Sequence, residues 1–257
     1  MNLQKALDRV PDTKHNVISV LSGGLDSTIM TYILVRKYGA NRVFALSYNY
    51  GQKQKVELEM AAKTCEYLGV AHKVLDLGIL GDIVKNVSAN IGGSDVNMPT
   101  IKDVLGDPQP KTYVPFRNMI LNSLAFSFAE ANKASHVFTG LQVHDEYGYW
   151  DTTQKFVDSM NAVADQNRTH KVKLEAPFSL LSKYDELMIA KELGNVRLEY
   201  TLTCYDPDEQ GRSCGICPSC SERLQNFIKA NMRDPIQYQP GRSVEWDRFL
   251  FKGGSDY

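Results

Sequence analysis

The segment Asn16 to Ser27, NVISVLSGGLDS, constrains this chain more than any other. Asn16 to Leu21 is a short, largely apolar run suited to a buried strand, and it passes without a linker into Ser22-Gly23-Gly24 and a helical stretch from Ser27 to about Tyr38. Gly39 closes that helix as a C-terminal cap. A strand that turns straight into a helix sends the chain back across the sheet, so the next strand lies parallel to it. The pattern repeats. Arg42 to Ser47 predicts a second strand, Gln52 to Leu68 carries Val56, Met60, Ala61, Cys65 and Leu68 at helical spacing, Gly69 ends it, and Ala71 to Asp76 predicts a third strand. The expected fold class is α/β, a doubly wound, mostly parallel sheet.

From Gly78 to Lys111 the periodicity fades into Gly, Asn, Asp and Pro, a length that suits a lid or binding loop better than a simple connection. Regularity returns with a helix from about Arg117 to Asn132, a strand at His136 to Leu141 and a helix from about Thr152 to Gln166. A strand near Val172 to Glu175 and a short helix from Lys183 to Leu193 follow.

The loop after the first strand is an anion site by construction. The helix end presents unpaired backbone N–H groups and a partial positive charge, the two glycines allow close backbone approach, and Ser22 and Ser27 offer hydroxyl donors. A pyrophosphate group fits these donors. No Lys follows the glycines as in the GxxxxGK[ST] loop, and the GxGxxG dinucleotide fingerprint is absent too.

Four of the five cysteines fall in one window, Cys204-x9-Cys214-x2-Cys217-x2-Cys220, with Gly211, Gly215 and Pro218 between them. Four thiolates suit a closed tetrahedral structural zinc site. Two consecutive x2 spacings also match an iron–sulfur pattern, and spacing does not choose between them; structural Zn²⁺ is the expectation. Cys65 is assigned to the core face of its helix. The N-terminal residues lack the apolar run of a signal peptide, and no stretch approaches the roughly 20 apolar residues of a membrane span. A soluble, cytoplasmic protein is expected, where clustered cysteines serve as metal ligands rather than disulfides. Lys plus Arg at 29 against Asp plus Glu at 30 gives a net charge of −1, so no global basic field exists for a phosphate backbone and direct nucleic-acid binding is not expected.

SGGLDS after a strand resembles the pyrophosphate loop of the N-type ATP pyrophosphatases, which activate a carbonyl oxygen as an adenylate. With the late four-cysteine site, the chain resembles the 7-cyano-7-deazaguanine synthase (QueC) family over about residues 16 to 230. Tyr50-Gly51-Gln52-Lys53, Thr112-Tyr113-Val114-Pro115-x-Arg117-Asn118 and Leu181-Ser182-Lys183 resemble further family segments. The resemblance implies adenylation of the carboxylate of 7-carboxy-7-deazaguanine, amination by ammonia to the amide and a second adenylation and dehydration to the nitrile, with Mg²⁺ accompanying ATP. It implies ATP contacts at Leu21, Ser22, Gly23, Gly24, Leu25, Asp26, Ser27, Ser47 and Gly140, and catalytic roles for Ser22, Asp26, Ser27, Arg117 and Lys183. Substrate contacts are implied at Tyr50, Gln52, Phe116, Arg117, Asn118, Asp145, Tyr149 and Asp151, and metal ligation at Cys204, Cys214, Cys217 and Cys220. The domain reading is an ATP-pyrophosphatase domain over residues 1–200, a zinc-binding helical region over 201–230 and a C-terminal extension over 231–257.

Three departures from the family pattern concern the second substrate. Phe116 stands where the family has Gly; DEYGYWDTT replaces DYSGYPDCR, losing the Pro and the Arg; and Gln54 replaces His. Activation is expected to be preserved and acyl capture altered. The alternatives are a paralogue that stops at the amide or delivers the acyl group to a partner amine such as a protein N-terminus, a tRNA-thiolating relative, and a nucleotide-binding adaptor. Tyr238 and the Trp246 to Phe251 group suit a homodimer contact, a protein partner or packing back on the chain's own domain.

Overall fold

The computed structural model describes residues 2–53, 56–97, 111–142 and 149–240. Its centre is a five-stranded, wholly parallel sheet of β1 (Asn16–Val20), β2 (Val43–Asn49), β3 (Ala71–Asp76), β4 (Ala134–Thr139) and β5 (Lys173–Glu175), in the order β3-β2-β1-β4-β5. The chain builds outward from β1 to β3, then crosses back to place β4 on the other side of β1. The sheet therefore reverses its winding between β1 and β4, and a crevice opens there at the carboxyl ends of the strands.

Side-chain alternation sends the two faces of the sheet into separate cores. Val17, Ala45 and Phe138 pack with α1 (Leu3–Asp8), α2 (Leu25–Tyr38), α3 (Val56–Leu68) and α7 (Lys183–Leu193). Ile18, Leu46, Val137 and Leu174 pack instead against α5 (Arg117–Ala131) and α6 (Gln154–Ala164). Such double burial explains why β1 reads as a near-continuous apolar run. Leu21, one residue past β1, still donates its N–H to the Leu46 carbonyl at 2.9 Å, which agrees with the strand end expected from sequence.

Predicted and observed boundaries agree closely at β3 and α7, and Gly39 and Gly69 take the positive φ values of 84° and 67° that end helices. Among the described residues, two α-helices are additional to the sequence reading. The first, α1, is capped by Asn2, which accepts the Lys5 N–H at 2.9 Å, and it buries Ala6. The second, α4 (Gly78–Val84), lies where a loop was expected from residue 78 onward. Its glycines hide it, yet they have a use: a Cβ at Gly81 would lie 2.5 Å from the Tyr50 carbonyl oxygen. Residues 98–110 of that expected loop fall outside the described residues.

The cysteine segment leads into α8 (Pro218–Lys229), with Cys217 as N-cap and Pro218 in the first helical position. Beneath it, Arg223 is fully buried and forms a bidentate pair with Asp234 at 2.7 and 2.9 Å, while its remaining nitrogen donates to Thr201 at 2.9 Å. Tyr238 also donates to Asp234 at 2.8 Å. Asp234→Ala leaves that guanidinium buried without its counter-charge. It is expected to lower stability by about 3–5 kcal/mol in urea denaturation.

Candidate functional site

The crevice is lined first by the loop from Leu21 to Ser27. Gly23 has φ +92°, and a Cβ there would meet the Glu57 carbonyl oxygen at 2.0 Å, so only glycine lets α3 pack onto the loop. Gly24 is the N-cap of α2 and has no side chain with which to cap it. The helix end is thus left to a ligand. Two hydroxyls fix the loop: the Ser22 N–H donates to Ser27 Oγ at 3.1 Å, the hydroxyls of Ser22 and Ser27 lie 2.9 Å apart, and the Gly24 N–H donates to Ser22 Oγ at 3.1 Å. Gly140, just beyond β4, forms the opposite wall; a Cβ there would lie 3.0 Å from the Ser27 nitrogen. Leu21, Leu25 and Ser47 stand behind this surface. Leu21 and Leu25 are fully buried, and the buried Ser47 hydroxyl donates to the Leu21 carbonyl at 2.5 Å.

Asp26, on the first turn of α2, meets Lys183 from the first turn of α7. The ammonium lies 2.8 and 2.9 Å from the two carboxylate oxygens, 3.2 Å from Gln142 Oε1 and 3.8 Å from Glu222. A reciprocal capping box between Ser182 and Asp185 fixes the helix end that carries Lys183. Burial works against the ammonium charge, but Asp26, then Glu222 and Glu186, outweigh it and hold Lys183 above its ordinary pKa. Glu186 is fully buried, accepts from Gln142 at 2.5 Å, and is pushed well above the carboxylate range by burial first and Asp26 second.

Across the crevice, Arg117 donates to Tyr50 Oη at 3.3 Å and lies 5.9 Å from that ring. Asn118 donates its backbone N–H to Asp151 at 3.3 Å and its amide to the Asp151 carbonyl at 3.2 Å. Burial raises the Asp151 pKa and Arg117 opposes that shift. Gln52 is buried and braces the turn after β2, accepting from the Tyr50 N–H at 2.9 Å and donating to the Tyr48 carbonyl at 3.0 Å. Tyr149 stacks on Tyr113 with ring centres 6.0 Å apart and contacts Thr112 at 2.7 Å. Asp145 and Gln54 lie outside the described residues.

Two departures from the family pattern meet in space. Phe116 occupies the left-handed region at φ 53°, where glycine is at home, and its ring packs edge-on against Trp150 at 5.4 Å. Trp150 stands at the position of the family's proline. Tyr113 Oη ties the pair together, accepting from the Phe116 N–H at 3.1 Å and from Trp150 Nε1 at 2.8 Å.

The crevice has two joined lobes. One, of about 290 Å³, is lined by the pyrophosphate loop, Tyr50, Gln52, Glu57, Asn90, Arg117 and Lys183. The other, of about 190 Å³, is lined by Thr112, Gln142, Tyr149, Thr152 and Pro218; Asp26, Arg117, Asn118, Gly140, Leu141, Tyr205, Ser219 and Glu222 border both. Glu57, Gln142, Tyr205 and Glu222 were not singled out from sequence. Glu57 follows closely on Tyr50-Gly51-Gln52, while Tyr205 and Glu222 adjoin cysteines, and that adjacency was the available signal.

The Sγ atoms of Cys204, Cys214, Cys217 and Cys220 all lie within 4.8 Å of one another, and all four residues are buried. Backbone N–H groups converge on them: Asp206 and Cys214 donate to Cys204 Sγ at 3.3 and 3.1 Å, Cys217 to Cys214 Sγ at 3.3 Å and Cys220 to Cys217 Sγ at 3.4 Å. Such donors favour thiolates. Four converging sulfurs with amide support therefore fit a bound metal ion.

A parallel sheet carrying a Ser/Gly loop at its switch point, with a Lys–Asp pair beside it, defines an α/β protein of the pyrophosphate-loop class. Within that class the chain belongs to the family described as "Queuosine biosynthesis protein QueC", which matches residues 16–231. It is 36% identical over 225 residues to a 7-cyano-7-deazaguanine synthase of Pseudoalteromonas atlantica, covering 87% of this chain and 98% of that one. A 7-cyano-7-deazaguanine synthase of Clostridium kluyveri is 38% identical over 232 residues, covering 86% of this chain and 97% of that one. Among solved structures, the NH3-dependent NAD synthetase of Campylobacter jejuni aligns over 100% of this chain and 99% of its own, with TM-score 0.46 and 17% identity. Among the described residues no helix is long and apolar enough to cross a membrane.

Gly23→Ala forces α3 off the loop. Binding of inorganic pyrophosphate, measured by calorimetry, is expected to weaken at least about tenfold, since about 1.4 kcal/mol of misplacement suffices. Cys217→Ala removes one sulfur and the N-cap of α8. Metal content by elemental analysis and melting temperature are both expected to fall, because metal binding contributes directly to folding.

Proposed function

We propose that the protein adenylates the carboxylate of 7-carboxy-7-deazaguanine with ATP and converts it, through the amide, to 7-cyano-7-deazaguanine. The observation that carries this reading is the uncapped α2 end and hydroxyl-braced loop at the switch point, joined to a second lobe by Asp26 and Arg117. Two ligands then meet where those residues stand. In each adenylation a substrate oxygen attacks the α-phosphorus of ATP, and the α–β phosphate bond breaks to release pyrophosphate. The loop N–H groups and the hydroxyls of Ser22 and Ser27 receive the β and γ phosphates. Lys183 supplies positive charge beside them, and Arg117, a planar five-donor cation, suits the acyl carboxylate. Ammonia displaces AMP to give the amide; the amide oxygen is adenylated in turn, and loss of AMP leaves the nitrile. Two ATP become two AMP and two pyrophosphates.

Mg²⁺ bound with ATP would neutralise charge on the leaving pyrophosphate, and Asp26 and Glu222 are the carboxylates suited to holding it. The four cysteines would hold Zn²⁺ as a structural ion, since four thiolates leave no position open for substrate. In this reading residues 1–200 form the activating domain and 201–230 a metal-stapled roof over it. The names of the relatives give no support to the conjugating or tRNA-thiolating alternatives.

The test is ATP–pyrophosphate exchange that depends on 7-carboxy-7-deazaguanine, with mass spectrometry of the product. Nitrile at two AMP per product is expected, whereas accumulation of adenylate despite ammonium would sink the reading. Asp26→Asn should cut the exchange rate by about 10²-fold or more, the scale of losing one preorganised electrostatic group, with metal content unchanged.

A further inference from the structure

Glu57 is the second residue of α3, and its backbone carbonyl is the group that excludes any side chain at Gly23. This contact fixes the first turn of α3 against the pyrophosphate loop. The residue is partly buried and lines the larger lobe with Tyr50, Asn90 and Arg117. Other carboxyl groups of the crevice are engaged: Asp26 with Lys183, Asp151 with Asn118, Glu186 with Gln142. The Glu57 carboxyl has no hydrogen bond or ion pair among the described residues. Among the described residues, the charged and titratable groups that line the same lobe are Arg117 from α5, Tyr50 from the turn after β2, Tyr205, and the Asp26, Lys183 and Glu222 cluster. Burial pushes its pKa up to about 8, and Arg117 opposes that shift.

We propose that Glu57 is the general base that deprotonates the amine capturing the activated acyl group. This rests on the adenylating function proposed above. Near neutral pH an amine arrives as its ammonium ion, which has no lone pair to attack with. A carboxylate of ordinary pKa near 4 is a poor acceptor for that proton, whereas one raised toward the ammonium range is a better one. Glu57 takes one proton from ammonium and the freed nitrogen attacks the acyl carbonyl. The carbon–nitrogen bond forms, and collapse of the tetrahedral intermediate breaks the bond to the AMP oxygen, which leaves with the electron pair. A second nitrogen proton passes to solvent, and Glu57 later releases its own.

The experiment compares wild type with Glu57→Gln in three measurements: carboxylate-dependent ATP–pyrophosphate exchange, amide plus nitrile formed with ammonium at neutral pH, and hydroxamate formed with hydroxylamine. Hydroxylamine is largely unprotonated at neutral pH and needs no base. Relative to its own exchange rate, Glu57→Gln is expected to lose about 10²-fold or more of the ammonium reaction, while the ratio of hydroxamate formation to exchange stays within about threefold of wild type. Wild-type amide formation in Glu57→Gln would overturn the assignment, and so would a parallel loss of hydroxamate, which marks a structural role. Absence of exchange in the wild type would remove the functional reading and this inference with it; exchange with an unaffected ammonium reaction removes only the role of Glu57. Should Glu57→Gln fail to fold, the amide-to-hydroxamate ratio of Glu57→Asp decides: it falls by about tenfold if the base is set back, and is unchanged if Glu57 has no such role.

Discussion

The contact between Lys183 and Asp26 joins residues 157 positions apart in the sequence and holds together the two halves of the crevice. It is not there for stability alone. A buried ion pair gains little over an apolar replacement, because both charges lose their hydration. Its value lies in what it places: a cation and a carboxylate at the first turns of α2 and α7, beside a helix end that attracts anions. Asp26 and Glu222 both face Lys183, at 2.8 and 3.8 Å. The proposed nucleotide therefore meets positive potential from the loop N–H groups and Lys183 on one side and carboxylates suited to its cation on the other. A net charge of −1 for the whole chain is compatible with this, since the anion site needs only local groups.

The cysteine cluster acts on the crevice through sequence proximity. Tyr205 follows Cys204, Ser219 lies between Cys217 and Cys220, and Glu222 is two residues past Cys220; all three line the lobes. The same segment is tied to the loop itself, since the Leu202 N–H donates to the Gly23 carbonyl at 2.9 Å. The fold of this segment thereby positions side chains that face the crevice. The Arg223–Asp234 pair beneath α8 anchors the other side, drawing in the chain that follows.

Local signals carried most of the fold. Strand-to-helix turns and the cap glycines at Gly39 and Gly69 each act within a few residues, so periodicity and turn chemistry exposed them. The helix α1 was legible in principle, for Leu3, Ala6, Leu7 and Val10 recur at helical spacing, but six residues give a weak signal. The helix α4 was masked by Gly78 and Gly81, and the reason for Gly81 is a contact with Tyr50 that no local pattern reveals. In the site, the loop, Arg117 and Lys183 were named from motifs, whereas Glu57, Gln142 and Glu222 acquire meaning from their neighbours across the crevice. Ser47 and Gln52 illustrate the converse: their side chains are bound to backbone groups, and they shape the site by holding Leu21 and Tyr50.

The meeting of Phe116 and Trp150 shows how an unfavourable backbone geometry can be maintained. A non-glycine residue in the left-handed region costs roughly 1–2 kcal/mol. An edge-to-face aromatic contact returns about 0.5–1.5 kcal/mol, and the hydrogen bonds from Phe116 and Trp150 to Tyr113 Oη add to it. The opposing terms are of similar size, so the pair is close to neutral for folding and neither ring is explained by stability. Its consequence is one of shape. Phe116 and Trp150 keep about half of their surfaces exposed beside Arg117, Asn118 and Tyr149, at 52% and 45%. They lie outside the loop and the Lys183–Asp26 pair, and neither lines the two lobes of the crevice.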